Sequence, residues 1–281
     1  MSSGEWKSWK WKCRAKGGPT SQMAGTSWRI IRVNGNERID KEDIIAEEFA
    51  LTIQLDGEEF ATLVCTPSDL TDLVVGFLAS EGVIRRMDEI KDLSIDEERG
   101  FAYVSLHIPQ STGKDFYSRR IIGSCCGKSR QFYFYNDART AKTVTGGIHL
   151  AAEQCFALMK SLQSSSLDFH QTGGVHNAAL CDETGMKAVR TDIGRHNALD
   201  KLFGHCIRHR IPAKQHVIAF SGRISSEVVL KTAKIGCPVL LSKSAPTDLA
   251  LRLAEDLGIT CVGFIRGDSM NIYTHAERIK F

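Results

Sequence analysis

From about residue 149 to its end the chain alternates short apolar runs with longer amphipathic ones, and only a few residues join them. AAEQCFALMKSLQ (151–163) has helical spacing. VHNAALCD (175–182) and MKAVRTD (186–192) read as strands about a Glu183-Thr184-Gly185 turn. In RHNALDKLFGHCIRH (195–209), Leu199, Leu202, Phe203 and Cys206 recur at i, i+3, i+4 and i+7, one face of a helix. HVIAFS, PVLLS, TCVGFI and NIYT then read as strands, and SSEVVLKTAKIG and PTDLALRLAEDLG as helices between them. Such alternation with short connections implies a layered α/β domain over 149–281.

The earlier part is different. WRIIRVN (28–34) suggests a strand. In FALTIQLDGEEFATLVC (49–65), Phe49, Leu51, Ile53 and Leu55 share one face, Asp56-Gly57 turns, and Phe60, Thr62 and Val64 alternate on the return. That is a hairpin pattern. Residues 69–83 have helical spacing with Ser68 as the expected N-cap, and FAYVSLHI (101–108) reads as a strand. We take 28–108 as a smaller α+β region. Residues 1–27, rich in Trp and small polar residues, fit neither period and read as a flexible leader.

Between these regions, 109–148 carries five glycines and no regular pattern, so we read a long loop of functional kind. It contains GSCCGKS (123–129). A phosphate-binding loop needs four residues between its first glycine and Gly-Lys-Ser, and here three intervene. A reactive thiol fits better. Arg119, Arg120, Lys128 and Arg130 flank Cys125 and Cys126, and neighbouring cations favour the thiolate. Incidental loop cysteines or half of a metal site are the alternatives. The chain has no C-x-x-C, so a zinc site is the weaker of the two. Of the nine cysteines, Cys65, Cys155, Cys206 and Cys261 sit in apolar runs and read as reduced core thiols.

Charge excludes some functions. The net charge is +3, but Lys7, Lys10, Lys12, Arg14 and Lys16 against Glu5 put +4 in the leader, so the body is about neutral. A nucleic-acid binder would show a basic body. The longest apolar run, LVVGFLA (73–79), is too short to span a bilayer, and the start lacks a secretory pattern. A cytoplasmic protein is expected.

Polar residues gather where the expected strands of 149–281 end and helices begin. TGGVHNA holds His176; TDIGRHNALDK holds Asp192, Arg195, His196 and Asn197; FSGRISSE holds Ser221 and Arg223; SKSAPTD holds Lys243, Ser244 and Thr247; FIRGDSMNIYT holds Arg266. Ligands of open α/β sheets bind beyond the carboxyl ends of strands, where helix N-termini favour anions. Arg195, Arg223, Lys243 and Arg266 add charge suited to phosphate. We expect a phosphorylated or nucleotide-like ligand. The bland readings remain beside it: Ser225 and Thr247 as plain caps, Asp192 with Arg195 as a structural ion pair, His176 as a core histidine.

TGGVHNA, DIGRHNALDK, FSGRISSEVVLK, SAPTDLA and GFIRGDSMNIYT, in that order, resemble the FdhD family over roughly residues 30 to 281. Members are accessory sulfur carriers of formate dehydrogenase. The resemblance implies a C-terminal domain similar to the cytidine deaminase-like fold, without that family's zinc signature, and no metal held by the protein itself. It implies that persulfide sulfur from a cysteine desulfurase passes to the bis-guanine-dinucleotide molybdenum cofactor, bound as substrate, in a sulfurtransferase-type activity. Many members carry C-x-x-C-G in the loop. Counting back from Gly127 aligns their second cysteine with Cys126, while the first falls on Gly123. Cys126 is therefore the expected carrier and Cys125 second to it. The segment Phe264, Ile265, Arg266, Gly267, Asp268 and Ser269 matches the family stretch linked to the nucleotide end of the cofactor. A homodimer would let two equivalent sites share a two-nucleotide cofactor. The alternative within this frame is a cofactor-binding chaperone that transfers no sulfur.

Overall fold

The computed structural model describes residues 25–108, 121–122, 141, 143–145, 147–165 and 172–281. β1 (Gly25–Asn34) and β2 (Glu37–Ala46) form a hairpin that is a sheet of its own. The strand thus begins inside the expected leader, and β2, with little apolar alternation, was not foreseen.

β3 (Phe49–Leu55), β4 (Glu58–Cys65), α1 (Leu70–Ser80), β5 (Ile90–Asp96), β6 (Phe101–Leu106) and β7 (Ile121–Ile122) follow. The strands lie in the order β5-β6-β3-β4-β7. On β3, Phe49, Leu51 and Ile53 are buried as expected, but on β4 the inward residues are Ala61, Leu63 and Cys65, not Phe60, Thr62 and Val64. A register shift between Ile53 and Gln54 explains the slip. One extra residue in an antiparallel pair exchanges the faces of everything beyond it. α1 is capped by Asp69 rather than Ser68. Asp69 has φ 50 and makes no side-chain cap bond, and its carboxylate lies 3.6 Å from Arg190 instead.

β8 (Leu150–Ala151), α2 (Ala152–Ser165), β9 (His176–Asp182), β10 (Gly185–Asp192), α3 (Arg195–Arg208), β11 (Val217–Phe220), α4 (Ser226–Ile235), β12 (Val239–Ser242), α5 (Asp248–Leu257), β13 (Thr260–Arg266), β14 (Ser269–Ile272) and β15 (Ile279–Lys280) complete the chain. Six of these strands form one sheet, β10-β9-β11-β12-β13-β14. β11, β12 and β13 are parallel, and the β9–β10 hairpin joins through an antiparallel β9–β11 contact. Alternate strand residues serve opposite faces. Leu180, Ile218 and Leu240 pack with Leu202 of α3, Val228 of α4 and Ala254 of α5, while Cys181, Val217 and Val239 pack with Leu158 and Met159 of α2. Strands covered on both faces must be apolar throughout, as VIAF and most of VLLS are.

α3 joins the two regions. It crosses α1 where Gly76 and Gly204 let the backbones meet: a Cβ on Gly204 would lie 1.9 Å from the Asp72 carbonyl oxygen. Buried charges lock the crossing. Asp72 accepts from Arg190 and Arg208, and Asp200 accepts from Lys231 and Ser80. No helix among the described residues is long and apolar enough to cross a membrane.

Candidate functional site

Because β10 and β11 each pair antiparallel with β9, the ends of β10, β11, β12 and β13 and the start of β9 share one edge of the sheet. Asp192 stands opposite His176, and Phe220 opposite both Ala178 and Ser242. The Phe264 N–H donates to the Ser244 carbonyl at 3.3 Å, extending the row to β13. The strand-end residues expected from sequence thus come to one edge although they span 93 positions from His176 to Ser269.

The loops after β11 and β12 have the same form. Each leaves its strand, makes one bridge with the other (Ile224 with Pro246), and enters a helix two residues later. The Ile224 N–H donates to Ala245 O at 3.1 Å and the Thr247 N–H to Ile224 O at 3.0 Å. Ser221 closes one side, its Oγ accepting from the Asn177 N–H at 2.9 Å. Ser244 closes the other, its Oγ donating to Ser221 O at 3.3 Å. α3, α4 and α5 therefore all begin at this edge, and none of Gly194, Ser225 and Thr247 gives its helix a side-chain cap bond. The Ser225 hydroxyl is buried and has no hydrogen-bond partner among the described residues. The reading of Ser225 and Thr247 as plain caps therefore lacks its hydrogen bonds. Uncapped helix starts present N–H donors and a positive dipole to an anion.

Side chains around this edge reinforce that field. Arg223 and Arg266 are exposed and Lys243 is half-buried. His176 stacks near Phe220, with ring centroids 6.5 Å apart. Burial first, then the Arg195 charge, with Lys243 adding to it, hold its imidazole below the ordinary value, against an opposing pull from Asp192. His176 is thus a neutral hydrogen-bonding group at neutral pH. His196, in the first turn of α3, lies 2.5 Å from the Glu227 carboxylate in the first turn of α4. Phe264 is exposed at φ 51, an uncommon conformation for a non-glycine residue, and Arg266 lies over its ring at 5.6 Å. Gly267 and Asp268 form the exposed turn to Ser269.

Three expected ligand contacts lie beneath the edge. Ile265 is buried in the core. Asp192 is fully buried and pairs with Lys201 at 2.7 Å. Its Oδ1 accepts from the Gly194 N–H and Asn197 Nδ2, and its Oδ2 from the N–H and hydroxyl of Thr66. Asn197, also buried, donates on to Val64 O. These residues brace the start of α3 against the end of β4. Sequence reading missed Lys201, Thr66 and Glu227. The one available signal was a lysine four residues after Asn197, on the helix side opposite the Leu199, Leu202 and Cys206 face.

β7 leaves its sheet beside the braced end of β4. β7 runs parallel to β4, with Ile122 opposite Leu63, so both leave their sheet in the same direction. Three residues after Leu63 comes Thr66, bonded to Asp192, a span of about 10 Å. Cys125 and Cys126 lie outside the described residues. Four residues beyond Ile122 the chain reaches at most about 14 Å.

Among the described residues, the thiols are unreactive by environment. Cys65, Cys155, Cys181, Cys206, Cys237 and Cys261 are all buried. Burial pushes Cys155 up to about 11 and Cys65, Cys181, Cys206 and Cys261 to about 12, with Cys237 also raised. No group of three or more His, Cys, Asp or Glu among the described residues is arranged to hold a metal ion.

Comparison with known proteins agrees with this architecture. The family model described as the FdhD/NarQ family matches residues 46–280. The chain belongs to the FdhD/NarQ family. It is 60% identical over 250 residues to the sulfur carrier protein FdhD of Geobacillus kaustophilus, covering 89% of this chain and 95% of that one. It is 56% identical over 251 residues to the protein of the same name from Bacillus subtilis, covering 89% and 96%. A crystal structure described as a formate dehydrogenase accessory protein from Desulfotalea psychrophila superposes with a TM-score of 0.75. It covers 92% of this chain and all of that one, at 24% identity, and so shows that the two share a fold.

Proposed function

We propose that this FdhD-family chain is a cytoplasmic sulfur carrier. It accepts persulfide sulfur from a cysteine desulfurase on Cys126, with Cys125 as the second thiol. It hands that sulfur to the bis-guanine-dinucleotide molybdenum cofactor, bound as substrate, in the service of formate dehydrogenase. The observation that carries this reading is the convergence at one edge of three helix starts whose N-cap residues make no side-chain cap bond and the cations Arg195, Arg223, Lys243 and Arg266, together with the exit of β7 parallel to β4, shortly before Cys125 and Cys126 in sequence. An anionic, two-nucleotide cargo matches the first part, and a carrier thiol the second. The names of its 52–60% identical relatives support the carrier role. The expected likeness to cytidine deaminases stays part of this proposal, supported by a six-stranded sheet built from one antiparallel hairpin, three parallel strands and an antiparallel edge strand.

Loading is a thiol exchange. The Cys126 thiolate attacks the outer sulfur of the donor persulfide, the donor S–S bond breaks, and the donor cysteine leaves as thiolate. Cys126 then carries S–SH, and no net oxidant is consumed. At the strand edge, the N–H groups of the α4 and α5 starts and Arg223 and Lys243 take the phosphates. Neutral His176 offers a hydrogen bond without adding charge.

The test has two arms. Intact mass after incubation with an active desulfurase and cysteine should rise by one sulfur atom, reversibly with a thiol reductant, and not in Cys126→Ala. GDP, as a probe of the nucleotide end, should bind wild type and lose roughly tenfold to a hundredfold in affinity in Arg223→Gln, the loss of one charge-assisted contact. No sulfur gain beside normal GDP binding would leave a cofactor chaperone. Sulfur gain without GDP binding would remove the strand edge from the mechanism.

A further inference from the structure

The carboxylates along the strand edge differ in what holds them. Asp192 is neutralised from below by Lys201. Asp248, in the first turn of α5, is exposed and pairs with Arg252 at 3.0 Å. Asp268 lies in the exposed turn before Ser269. Glu227 is only 11% exposed, and what it meets is a histidine of another helix: His196 Nε2 lies 2.5 Å from Glu227 Oε2. His196 is the second residue of α3 and Glu227 the second of α4, so the contact joins two helix starts that both open on the edge. The His196 Nε2 is itself enclosed, so another acceptor reaches it only when Glu227 moves aside. Two residues before Glu227, the buried Ser225 hydroxyl has no hydrogen-bond partner among the described residues.

A carboxylate in the first turn of a helix is favoured by the helix dipole, and a cation there is disfavoured. Glu227 therefore suits α4, whereas an imidazolium in the first turn of α3 needs an anion beside it. Glu227 supplies that anion from within the chain. It does so among Arg195, Arg223 and Lys243, in the positive field that also suits a phosphate. An imidazole N–H serves one acceptor at a time, so Glu227 and a phosphate compete for the same group. We propose that Glu227 is a built-in competitor of the ligand: it holds His196 until a phosphate of the incoming nucleotide takes its place, and it reclaims His196 on release.

The exchange rests on the reading of the strand edge as the phosphate site. It explains a carboxylate at a place otherwise built for anions. A carrier must let its cargo go, and an internal anion that reclaims His196 weakens binding and speeds release. Affinity differences between closely related complexes lie mostly in the dissociation rate.

Equilibrium binding and stopped-flow release of GDP test the exchange. Glu227→Gln keeps the size of the side chain and removes its charge. It should bind GDP about threefold to tenfold tighter, with dissociation slowed to match. Guanosine, which has no phosphate, should bind wild type and Glu227→Gln alike. Adding His196→Gln to Glu227→Gln should cancel the gain. A double variant as tight as Glu227→Gln would mean that the carboxylate only repels the ligand, and overturns the exchange. In the wild type, the ring NMR signals of His196, assigned through its backbone, should shift with GDP and not with guanosine. No shift at saturating GDP overturns the proposal, even where Glu227→Gln fails to fold. Equal or weaker GDP binding by a folded Glu227→Gln would make the pair a structural tie between α3 and α4. That result overturns the proposal and leaves the strand edge as the phosphate site. No GDP binding by either wild type or Glu227→Gln overturns both.

Discussion

Replacing Lys201 by methionine removes a cation from the most enclosed ion pair among the described residues while keeping the length and apolar stem of the side chain. Lys201 Nζ lies 2.7 Å from Asp192 Oδ2, and both side chains are fully buried. It also donates to Thr66 Oγ1 at 2.7 Å and to Thr191 O at 3.0 Å. Removing one partner of a buried pair costs about 3–5 kcal/mol, because the other charge stays enclosed. Asp192 keeps four donors, from Thr66, Gly194 and Asn197. That compensation places the loss near the lower bound, about 3 kcal/mol. For a chain of this size it lowers Tm by about 6–12 °C. Urea unfolding followed by circular dichroism measures it directly. Asp192→Asn should also destabilise alone, since its amide would point an N–H at a neighbouring donor. In the double variant neither charge is stranded, and its loss should fall short of the sum of the singles by about 2 kcal/mol. A loss under about 1 kcal/mol for Lys201→Met, or strict additivity, would refute the argument that this pair braces α3 against β4.

Gly204→Ala gains about 1 kcal/mol of helix propensity, yet its Cβ must clear the Asp72 carbonyl oxygen now 1.9 Å away. We expect net destabilisation of about 2 kcal/mol or more in the same urea assay, and any stabilisation would mean that α1 and α3 separate freely. Alkylation with iodoacetamide at pH 8 should modify at most three of the nine cysteines while the protein is native, because six are buried, five of them with thiols raised to about 11 or 12 and Cys237 likewise raised by burial. Mass spectrometry of native and urea-treated samples decides it. His176 and His205 both lie below their ordinary 6.5 in the folded state, chiefly through burial. The unfolded chain therefore binds more protons as pH falls through 6.5, so this stability is present above 6.5 and lost below it. His205→Gln should flatten the decline in urea midpoint between pH 7 and pH 5.5, and an unchanged slope would exclude His205 as a contributor.

The alternation after residue 149 was legible because each strand or helix carries its own period. VIAF is apolar on both faces, and α3 shows Leu199, Leu202 and Cys206 on one. The polar clusters at the strand ends were legible for the same local reason. The β3–β4 hairpin was found but its return strand was faced wrongly, since a bulge leaves no mark in composition. β2 was missed because a strand exposed on both faces has no apolar alternation to show. Asp192 and Asn197 were read as ligand contacts because a polar residue at a helix start looks the same whether it meets a ligand or a buried lysine.

Sequence by itself determined which motifs stand at element ends and, where no bulge intervenes and one face is apolar, which residues turn inward, since helical and strand periods are properties of neighbours in the chain. Tertiary structure alone decided which ends meet. Thr66 and Asp192 are 126 residues apart, and their bond exists only because α1 and α3 cross at two glycines and draw β4 to the end of β10. That contact depends on backbone approach and enclosed charge. Neither leaves a period in the sequence, so neither can be read before the chain is folded.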